Sequence, residues 1–477
     1  MEIKVLNDEI KKQKSDILVL GMIEGTTSLD GVLSNVDKAL GGLISEYVLS
    51  QDKFEGKFKD TYLLQTYGKI PANKVLIVGL GKKEDLTIAK IRELSIKVAK
   101  KIKCIKGKSV TIDLGELDFC QTESGQAVTE GFIIGDYAFD KYKSEKDEKI
   151  EKLILVEDNE EKFKKLEKGA RKGEQIGLAM NATRDLVNEP PQYATPTKLA
   201  ELAKDIDGIK TKIYDKKDCE KMGMGAFLGV ARGSVQEPKF IHMQYTCPNP
   251  KKRIAIIGKG LCFDSGGMDL KPASSMLTMK DDMSGAGAVI NIMKVLAKIK
   301  PEIEVHGIIA ACENMPGQNA YKPGDILTAM NKKTIEIDNT DAEGRVTMAD
   351  ALCYACKLNV EEVIDIATLT GACMVALGYQ AGGILGNNQK LIENLIGAGE
   401  KGGEKFWQLP MFEEYFDSLK SKIADMKNSG TRGGGASAAA LFLQNFVSDN
   451  VAWAHLDVAG TAWFDKPHKE IQAGPTA

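Results

Sequence analysis

Short apolar runs that close on glycine alternate along this chain with segments of helical periodicity, and no other feature restricts its fold as much. Asp16-Ile17-Leu18-Val19-Leu20-Gly21 and Lys74-Val75-Leu76-Ile77-Val78-Gly79 have the apolar continuity of buried strands. Residues 86–103 place Ile88, Ile91, Leu94, Ile96, Val98 and Ile102 on or near one helical face, and 152–156 offers another strand. From 253 onward the pattern returns in a more apolar form. Strands are expected at 253–258, 303–312, 334–338, 362–368 and 451–458, and helices at 285–298, 346–357, 390–398 and 437–447. Strands interleaved with helices predict α/β layers. Asn188-Glu189-Pro190-Pro191 cannot continue a helix. Thr195-Pro196 opens the next one, with threonine as cap and proline at the first position.

At 477 residues, length alone points to about three domains. The periodic pattern reduces this to two α/β domains: 1–156, a smaller N-terminal one, and 174–477, a larger one. Between them 157–173 carries Lys and Glu at near-helical spacing and reads as a solvated linker helix. With 43% hydrophobic and 27% charged residues the chain is not of disordered or fibrous composition, and a formal net charge of −3 gives no global pull toward nucleic acid or anionic membrane. The uncharged stretch 366–389 is long enough to span a bilayer, but its five glycines and several hydroxyls predict a buried strand running into glycine-rich loops. No apolar signal core follows the N-terminal lysines, and nine scattered cysteines suit reduced thiols. A soluble, cytoplasmic protein with no membrane partner is expected. Cys353 and Cys356, in an Ala-rich helical stretch, are expected to pack as small hydrophobes.

Three blocks hold charged residues inside apolar, glycine-rich surroundings. The first is Gly258-Lys259-Gly260-Leu261-Cys262-Phe263-Asp264-Ser265-Gly266-Gly267, with Lys271 beyond it. The second is Met279-Lys280-Asp281-Asp282-Met283, before a Gly/Ala-rich helix. The third is Asn339-Thr340-Asp341-Ala342-Glu343-Gly344-Arg345, between a strand and a helix. Asp-Ser-Gly-Gly by itself is also an ordinary turn, and Lys280 and Asp281 are expected to be solvated loop charges. If Asp264, Asp282, Asp341 and Glu343 converge at one sheet edge, their mutual repulsion raises their pKa values unless cations neutralise them. Four acids are enough to bridge two divalent ions, which activate water and polarise a carbonyl or phosphoryl oxygen. A neutral lysine amine can join as a ligand, and a charged one can face a developing oxyanion. The four histidines, 242, 306, 455 and 468, are far apart in sequence, so a histidine-based metal site is disfavoured.

At the third block the chain resembles the leucyl aminopeptidase (cytosol aminopeptidase) family, whose signature runs through Asn339–Arg345 and usually closes with leucine where this chain has Val346. Asp185-Leu186-Val187-Asn188-Glu189-Pro190-Pro191, the 259–272 block, Lys322-Pro323-Gly324-Asp325-Ile326 and Trp453-Ala454-His455-Leu456-Asp457 are similar to family segments in the same order, and 75–81 is similar to the N-terminal domain. The resemblance implies a catalytic C-terminal domain with a mixed central sheet flanked by helices, and a two-metal exopeptidase that removes Leu and other mostly apolar N-terminal residues from unblocked peptides by a metal-bridging hydroxide. By motif position, Lys259, Asp264, Asp282 and Glu343 would bind the tighter metal. Asp264, Asp341 and Glu343, with the Asp341 carbonyl, would bind the more exchangeable one. The resemblance assigns catalytic roles to Lys271 and to Arg345, the latter holding a bicarbonate that acts as general base. It places Met279, Thr368, Gly371, Ala459 and Ala462 around the pocket for the N-terminal side chain. Zn²⁺ or Mn²⁺ is the expected pair, with Co²⁺ or Mg²⁺ possible. A homo-hexamer acting on intracellular peptides is implied.

Ser429-Gly430-Thr431-Arg432-Gly433-Gly434-Gly435 departs from the usual family loop, and the chain ends at Ala477, where members normally continue. Three rival readings remain. Gly79-Leu80-Gly81 hints at a nicotinamide dehydrogenase but has Glu84 where the third glycine belongs. A two-metal phosphoesterase shares the acids but gives no reason to bind an α-amine. An aminopeptidase that doubles as a DNA-binding regulator draws on residues 82–108, where ten Lys/Arg face three acids. A solvated amphipathic helix accounts for that charge equally well, so nucleic acid is not expected as a partner.

Overall fold

The computed structural model describes residues 1–113, 119–431, 433–468 and 470–476. The chain divides into two compact units, Met1–Asn181 with Pro467–Gln472, and Ala182–Lys466 with Ala473–Ala477. The helix Glu160–Asn188 runs through the division between 181 and 182. It is longer than the expected linker because its periodicity continues past the charged stretch until the prolines stop it.

The first unit is built on strands β1 (Glu2–Leu6), β2 (Ile17–Ile23), β3 (Thr61–Gln65), β4 (Lys74–Gly81), β5 (Ser109–Asp113) and β6 (Lys152–Val156). Their spatial order is β1-β6-β5-β2-β4-β3, parallel throughout except for the β3–β4 pair. One face packs Ile17, Val19, Leu76 and Val78 against the helices Ile88–Cys104 and Gln121–Asp136. The other packs Leu18, Leu20, Val75 and Ile77 against Val36 and Leu40 of the helix Gly31–Leu40. Alternate residues of each strand feed alternate layers, which explains why these strands read as unbroken apolar runs. Gly79 and Gly81 lie inside β4 rather than in a strand-to-helix turn, so they lack the setting a dinucleotide motif needs.

The second unit continues with β7 (Lys210–Tyr214), β8 (Lys239–Tyr245), β9 (Arg253–Asp264), β10 (Glu304–Asn314), β11 (Ile326–Thr328), β12 (Thr334–Glu336), β13 (Glu362–Ala367), β14 (Gly382–Gly386), β15 (Phe406–Gln408), β16 (Met426–Lys427), β17 (Ala452–Asp457), β18 (Trp463–Phe464) and β19 (Gly474–Pro475). Eight form a mixed sheet in the order β15-β14-β17-β13-β9-β10-β8-β7, while β11-β12-β16 and β18-β19 make small sheets of their own. Ala255, Ile257, Leu261, Ile308 and Trp453 pack on one face with residues of the helices Gly225–Ala231, Glu343–Cys356 and Gly435–Gln444. Ile241, Met243, Cys262, Ile309 and Ala311 pack on the other with the helices Pro196–Lys204 and Ser284–Ile299. Thr195 caps its helix as expected, its side chain accepting from Lys198 N.

Residues 366–389 are not one strand with loops. They close β13, form the helix Gly371–Leu377 capped by Thr370, and supply β14. Among the described residues no helix is long and apolar enough to cross a membrane. All nine cysteines are free, with Cys353 buried and Cys356 half-buried. Arg432 of the divergent glycine loop lies outside the described residues.

Candidate functional site

β9, β10, β13 and β17 are parallel neighbours whose carboxyl ends share one edge of the sheet. They end on Asp264, Asn314, Ala367 and Asp457. In open α/β sheets ligands gather at that edge.

Lys259 and Asp264 are five residues apart, an odd spacing that sends the side chains of a regular strand to opposite faces. The pairing of β9 with β10 removes the conflict. Cys312 pairs with Leu261 but Glu313 pairs with Phe263, so Cys262 is an extra residue, a β-bulge. Beyond the bulge Asp264 stands directly opposite Asn314. The strand therefore extends past the expected 253–258 and brings both charged side chains to one cluster.

Lys259, 3% exposed, sits 2.6 Å from Asp282 Oδ1 and 3.0 Å from Glu343 Oε1, and donates to the Thr368 carbonyl at 3.1 Å. Asp282 belongs to the tight turn Met279–Met283 ahead of the helix Ser284–Ile299, whose start lies against β9 because Gly285 has no side chain to meet Lys259 N and the Ile366 carbonyl. Glu343 opens the helix Glu343–Cys356, so the third block is not wholly loop. An acid in the first turn suits the positive end of a helix, which makes Glu-Gly-Arg a better helix start than its composition implies. A Cβ on Gly344 would lie 2.7 Å from Lys259 Nζ and closer still to Cε.

Lys271 forms the second bridge, 2.8 Å from Asp264 Oδ2 and 2.5 Å from Asp341 Oδ1. The loop that carries it is fastened to the third block. Asp269 accepts from Thr340 N at 2.7 Å, its own N–H donates to Thr340 Oγ1 at 2.8 Å, and Thr340 Oγ1 donates to the Gly266 carbonyl at 2.6 Å. Asn428, fully buried, holds the same block from the far side, accepting from Asp338 N and donating to the Asn339 carbonyl.

Four carboxylates thus meet two ammonium groups in a buried cluster. Burial raises Asp264 to about 6, helped by Glu343 and opposed by Lys271 and Lys259. Burial also pushes Asp282 well above the usual carboxylate range against the pull of Lys259, and raises Asp341 against Lys271. For Glu343 burial raises, but Lys259 and Lys271 outweigh it and the pKa falls. Burial would lower both lysines, yet Asp282, Glu343 and Asp264 raise Lys259, and Asp264 and Glu343 raise Lys271. Two observations fit further cations. The ligand oxygens of Asp264, Asp341 and Glu343 all lie within 4.8 Å of one another, and Asp282 Oδ2 is buried without a hydrogen-bond partner. Hard carboxylate oxygens with one amine nitrogen form a donor set for Mn²⁺ or Zn²⁺.

Arg345 follows on the same helix turn, partly exposed, its pKa brought down to about 10 by burial while Glu343 and Asp457 pull it up; it stays charged at neutral pH. Thr368, just past β13, donates its hydroxyl to Asp282 Oδ1 at 2.7 Å. Met279 is half-buried in the turn that holds Asp282, and Gly371 is exposed, with open space where a Cβ would stand. Ala459 and Ala462 lie in the stretch after β17, half-buried and buried respectively, and Gly460 between them abuts the helix that Gly371 begins. Asp281 corrects an expectation. It is 8% exposed with a pKa raised to about 7 by burial, and Lys280 is tied to the Asn188 carbonyl at 2.6 Å, so neither is a solvated loop charge. Both are turned inward by the short turn that delivers Asp282. Sequence reasoning missed Asn314, Asp269, Thr340 and Asn428. The available signal was Asn314 just past the apolar run 303–312, at the carboxyl end of an expected strand.

A mixed α/β sheet flanked by helices gathers, at its carboxyl edge, acids and lysines in a cluster that could hold metal ions, the setting of a metal-dependent enzyme site. The cytosol aminopeptidase family model for the catalytic domain matches residues 181–477, and that for the N-terminal domain matches 19–146. The chain is 44% identical over 471 residues to a probable cytosol aminopeptidase of Alkaliphilus oremlandii, covering 97% of this chain and 94% of the relative. It is 45% identical over 482 residues to one from Sulfurihydrogenibium sp., covering 98% and 95%. Among solved structures, a tomato leucine aminopeptidase mutant matches with a TM-score of 0.88 at 36% identity over 99% of this chain and 94% of that one. The bottromycin maturation enzyme BotP in complex with Mn matches at 0.86 and 29% identity, over 97% and 96%. This chain belongs to the cytosol aminopeptidase family, and it is an aminopeptidase, a hydrolase that acts on peptides from the N-terminus.

Proposed function

We propose that this aminopeptidase works with two divalent cations, Zn²⁺ or Mn²⁺, and releases Leu and other mostly apolar residues from unblocked peptides. The observation that carries the proposal is the cluster in which four carboxylates outnumber two lysines, with the buried Asp282 Oδ2 left without a hydrogen-bond partner. Lys259, Asp264, Asp282 and Glu343 would hold one cation, and Asp264, Asp341 and Glu343 with the Asp341 carbonyl the other. Bound there, the ions supply activated water at neutral pH and polarise the scissile carbonyl. The Mn named with the BotP structure supports a divalent ion in this fold.

The chain's own residues perform the rest. Asp282 offers its carboxylate to the substrate's α-ammonium and so sets the cut one residue from the N-terminus. Lys271, kept protonated by Asp264 and Glu343, presents positive charge to the oxyanion as it develops, an interaction stronger in the transition state than in the ground state. Arg345, a planar fork kept charged with the help of Glu343 and Asp457, suits a bidentate anion such as bicarbonate, which would serve as general base. Met279, Thr368, Gly371, Ala459 and Ala462 would line the side-chain pocket. Because one methylene changes such discrimination by only about 1–3 kcal/mol, leucine is a preference and not a strict requirement. A cytoplasmic homo-hexamer is the proposed assembly. No relative described above is named as a nucleic-acid binder, and several cations of the basic stretch are engaged: Arg92 pairs with Glu130 at 2.5 Å and Lys103 donates to the Asp136 carbonyl.

The test compares a free leucyl peptide with its N-acetyl form, with and without chelator. Stepwise loss of single residues from the free peptide alone, abolished by chelation, is expected. Equal cleavage of the blocked peptide sinks the proposal, and undiminished activity after chelation removes its cations.

A further inference from the structure

We infer that Asn314 is a positioning residue for the cation set Asp264–Asp341–Glu343, fixing the direction of the Asp264 carboxylate and the height of the Asp341 loop with one carboxamide. The inference rests on the two-cation reading. Asn314 is fully buried at the last position of β10, and the bulge at Cys262 puts Asp264 directly across from it. Its Nδ2 donates to Asp264 Oδ1 at 2.8 Å and to the Thr340 carbonyl at 3.0 Å. One donor group therefore reaches two of the three segments that bring acids to the cluster, β9 and the Thr340–Asp341 loop, the third being the turn that carries Asp282.

The chemistry of the carboxylate shows what this does. Asp264 Oδ1 takes two N–H donors, Asn314 Nδ2 and the backbone of Gly266 at 2.9 Å. With Oδ1 committed, Oδ2 is the oxygen turned toward Lys271, 2.8 Å away, and through it toward Asp341. Without the amide, Oδ1 keeps one donor and the carboxylate can rotate about its last bond. The Thr340 carbonyl would retain only the Tyr321 hydroxyl at 2.7 Å. Asn314 also anchors the loop after Asp264 through its own carbonyl, which accepts from Ser265 N at 3.0 Å and from Ser265 Oγ at 2.7 Å. That backbone contact survives any side-chain change, so the carboxamide can be removed without releasing the loop. Its Oδ1 is buried with no hydrogen-bond partner and lies where a side chain on Gly267 would be only 2.7 Å away. The amide oxygen thus contributes no bond that a substitution must replace, and the role resides in Nδ2. Groups that orient a metal ligand in this manner are worth about 10–100-fold in metal affinity.

The experiment uses the full chain stripped of metal, with Asn314→Ala and Asn314→Ser beside the wild type. Mn²⁺ is titrated while free Mn²⁺ is followed by paramagnetic resonance, and Co²⁺ absorption bands report ligand geometry. Two binding steps are expected in the wild type. In N314A the weaker step should fall by about 10–100-fold with altered Co²⁺ bands, while the tighter step, held also by Lys259 and Asp282, changes far less. N314S, whose hydroxyl stops one bond short of Nδ2 and has one proton for two acceptors, should lose nearly as much. Unchanged affinities and bands in both variants overturn the inference, as does equal weakening of both steps. Failure of both variants to fold, judged by circular dichroism, overturns it too by making Asn314 structural only. A wild type that binds no Mn²⁺ strikes at the two-cation reading itself, a result distinct from all of these.

Discussion

At the scale of single residues, charge in an apolar setting was legible and hydrogen-bonded amides were not. Lys259, Asp264, Lys271, Asp341 and Glu343 stand out in the sequence because a buried charge is costly and rarely arises without a partner. Asn314, Thr340 and Asn428 are as buried as those acids, but asparagine and threonine are ordinary turn residues, so their type does not mark them as interior and only the place of Asn314 after an apolar run gives a signal. Lys271 and Asp264 are expected to separate on mutation. Lys271→Ala removes the charge that faces the oxyanion, so turnover should drop by about 10²–10³ while metal content stays near normal. Asp264→Ala takes a ligand from both cations and should lose bound metal, measured by atomic absorption after dialysis. If both variants keep full metal and full rate, the assigned roles are wrong.

At the scale of elements, strand cores were readable and their ends were not. Apolar continuity located β2, β4, β6 and β13 to within a residue or two, because burial on two faces leaves no alternative composition. The same logic stopped β9 at Gly258, six residues early, since the ladder beyond it is paid for by pairing with β10 and by a bulge no periodicity reports. The helix that starts at Glu343 was placed three residues late for a related reason: Glu343 and Arg345 look like loop residues until the helix dipole and Lys259 are in view. Gly344 tests that junction. Alanine is about 1 kcal/mol better than glycine inside a helix, so helix propensity alone predicts a more stable variant. The contact with Lys259 predicts the opposite for function. A methyl group at 344 pushes the ammonium off Asp282 and Glu343, and a displacement near 1 Å can cost about 10²-fold in rate. Gly344→Ala should therefore lower kcat/KM about tenfold or more, and the melting temperature should fall with it, because parting a buried ion pair costs about 3–5 kcal/mol against the roughly 1 kcal/mol of helix propensity. A fully active variant would show that Lys259 has room to move.

A second element-scale prediction concerns the far end of that helix. Tyr354 meets His242 Nδ1 at 3.0 Å, and His242 Nε2 meets His306 Nδ1 at 2.9 Å across β8 and β10. Burial, with His306, Lys212 and Lys210 adding repulsion, lowers the His242 pKa from 6.5 to about 4. The folded chain thus keeps His242 neutral in a range where the unfolded chain protonates it. Above pH 6.5 the residue adds no pH dependence. As pH falls from 6.5 toward 4 the unfolded state gains a proton that the folded state refuses, and stability should decline by up to about 3 kcal/mol. Denaturant unfolding of wild type and His242→Asn across this window checks the point. The variant should show a shallower acid decline, and parallel curves would assign the acid sensitivity elsewhere.

At the scale of the whole molecule, the two compact units have separate apolar cores, and the proposed cation site belongs entirely to the second. The division of the chain into two α/β halves followed from its periodicity. The distribution of its reporters is less obvious and more useful. All three tryptophans, Trp407, Trp453 and Trp463, lie in the second unit, so tryptophan emission follows the unfolding of the half that carries the acids and of no other. A ligand that binds only the folded state stabilises it by RT ln(1 + [L]/Kd), about 2.7 kcal/mol at a hundredfold excess over Kd. Four clustered carboxylates, three of them buried, with raised or contested protonation should make this linkage large, since a cation relieves repulsion that the lysines only partly offset. Adding Mn²⁺ at that excess to the metal-free chain should move the tryptophan-detected urea midpoint upward by the corresponding amount. Asp264→Ala should abolish the shift. The midpoint, unlike the intensity, is insensitive to quenching by the paramagnetic ion, so an unmoved midpoint in the wild type would mean that no cation binds the folded cluster with useful affinity.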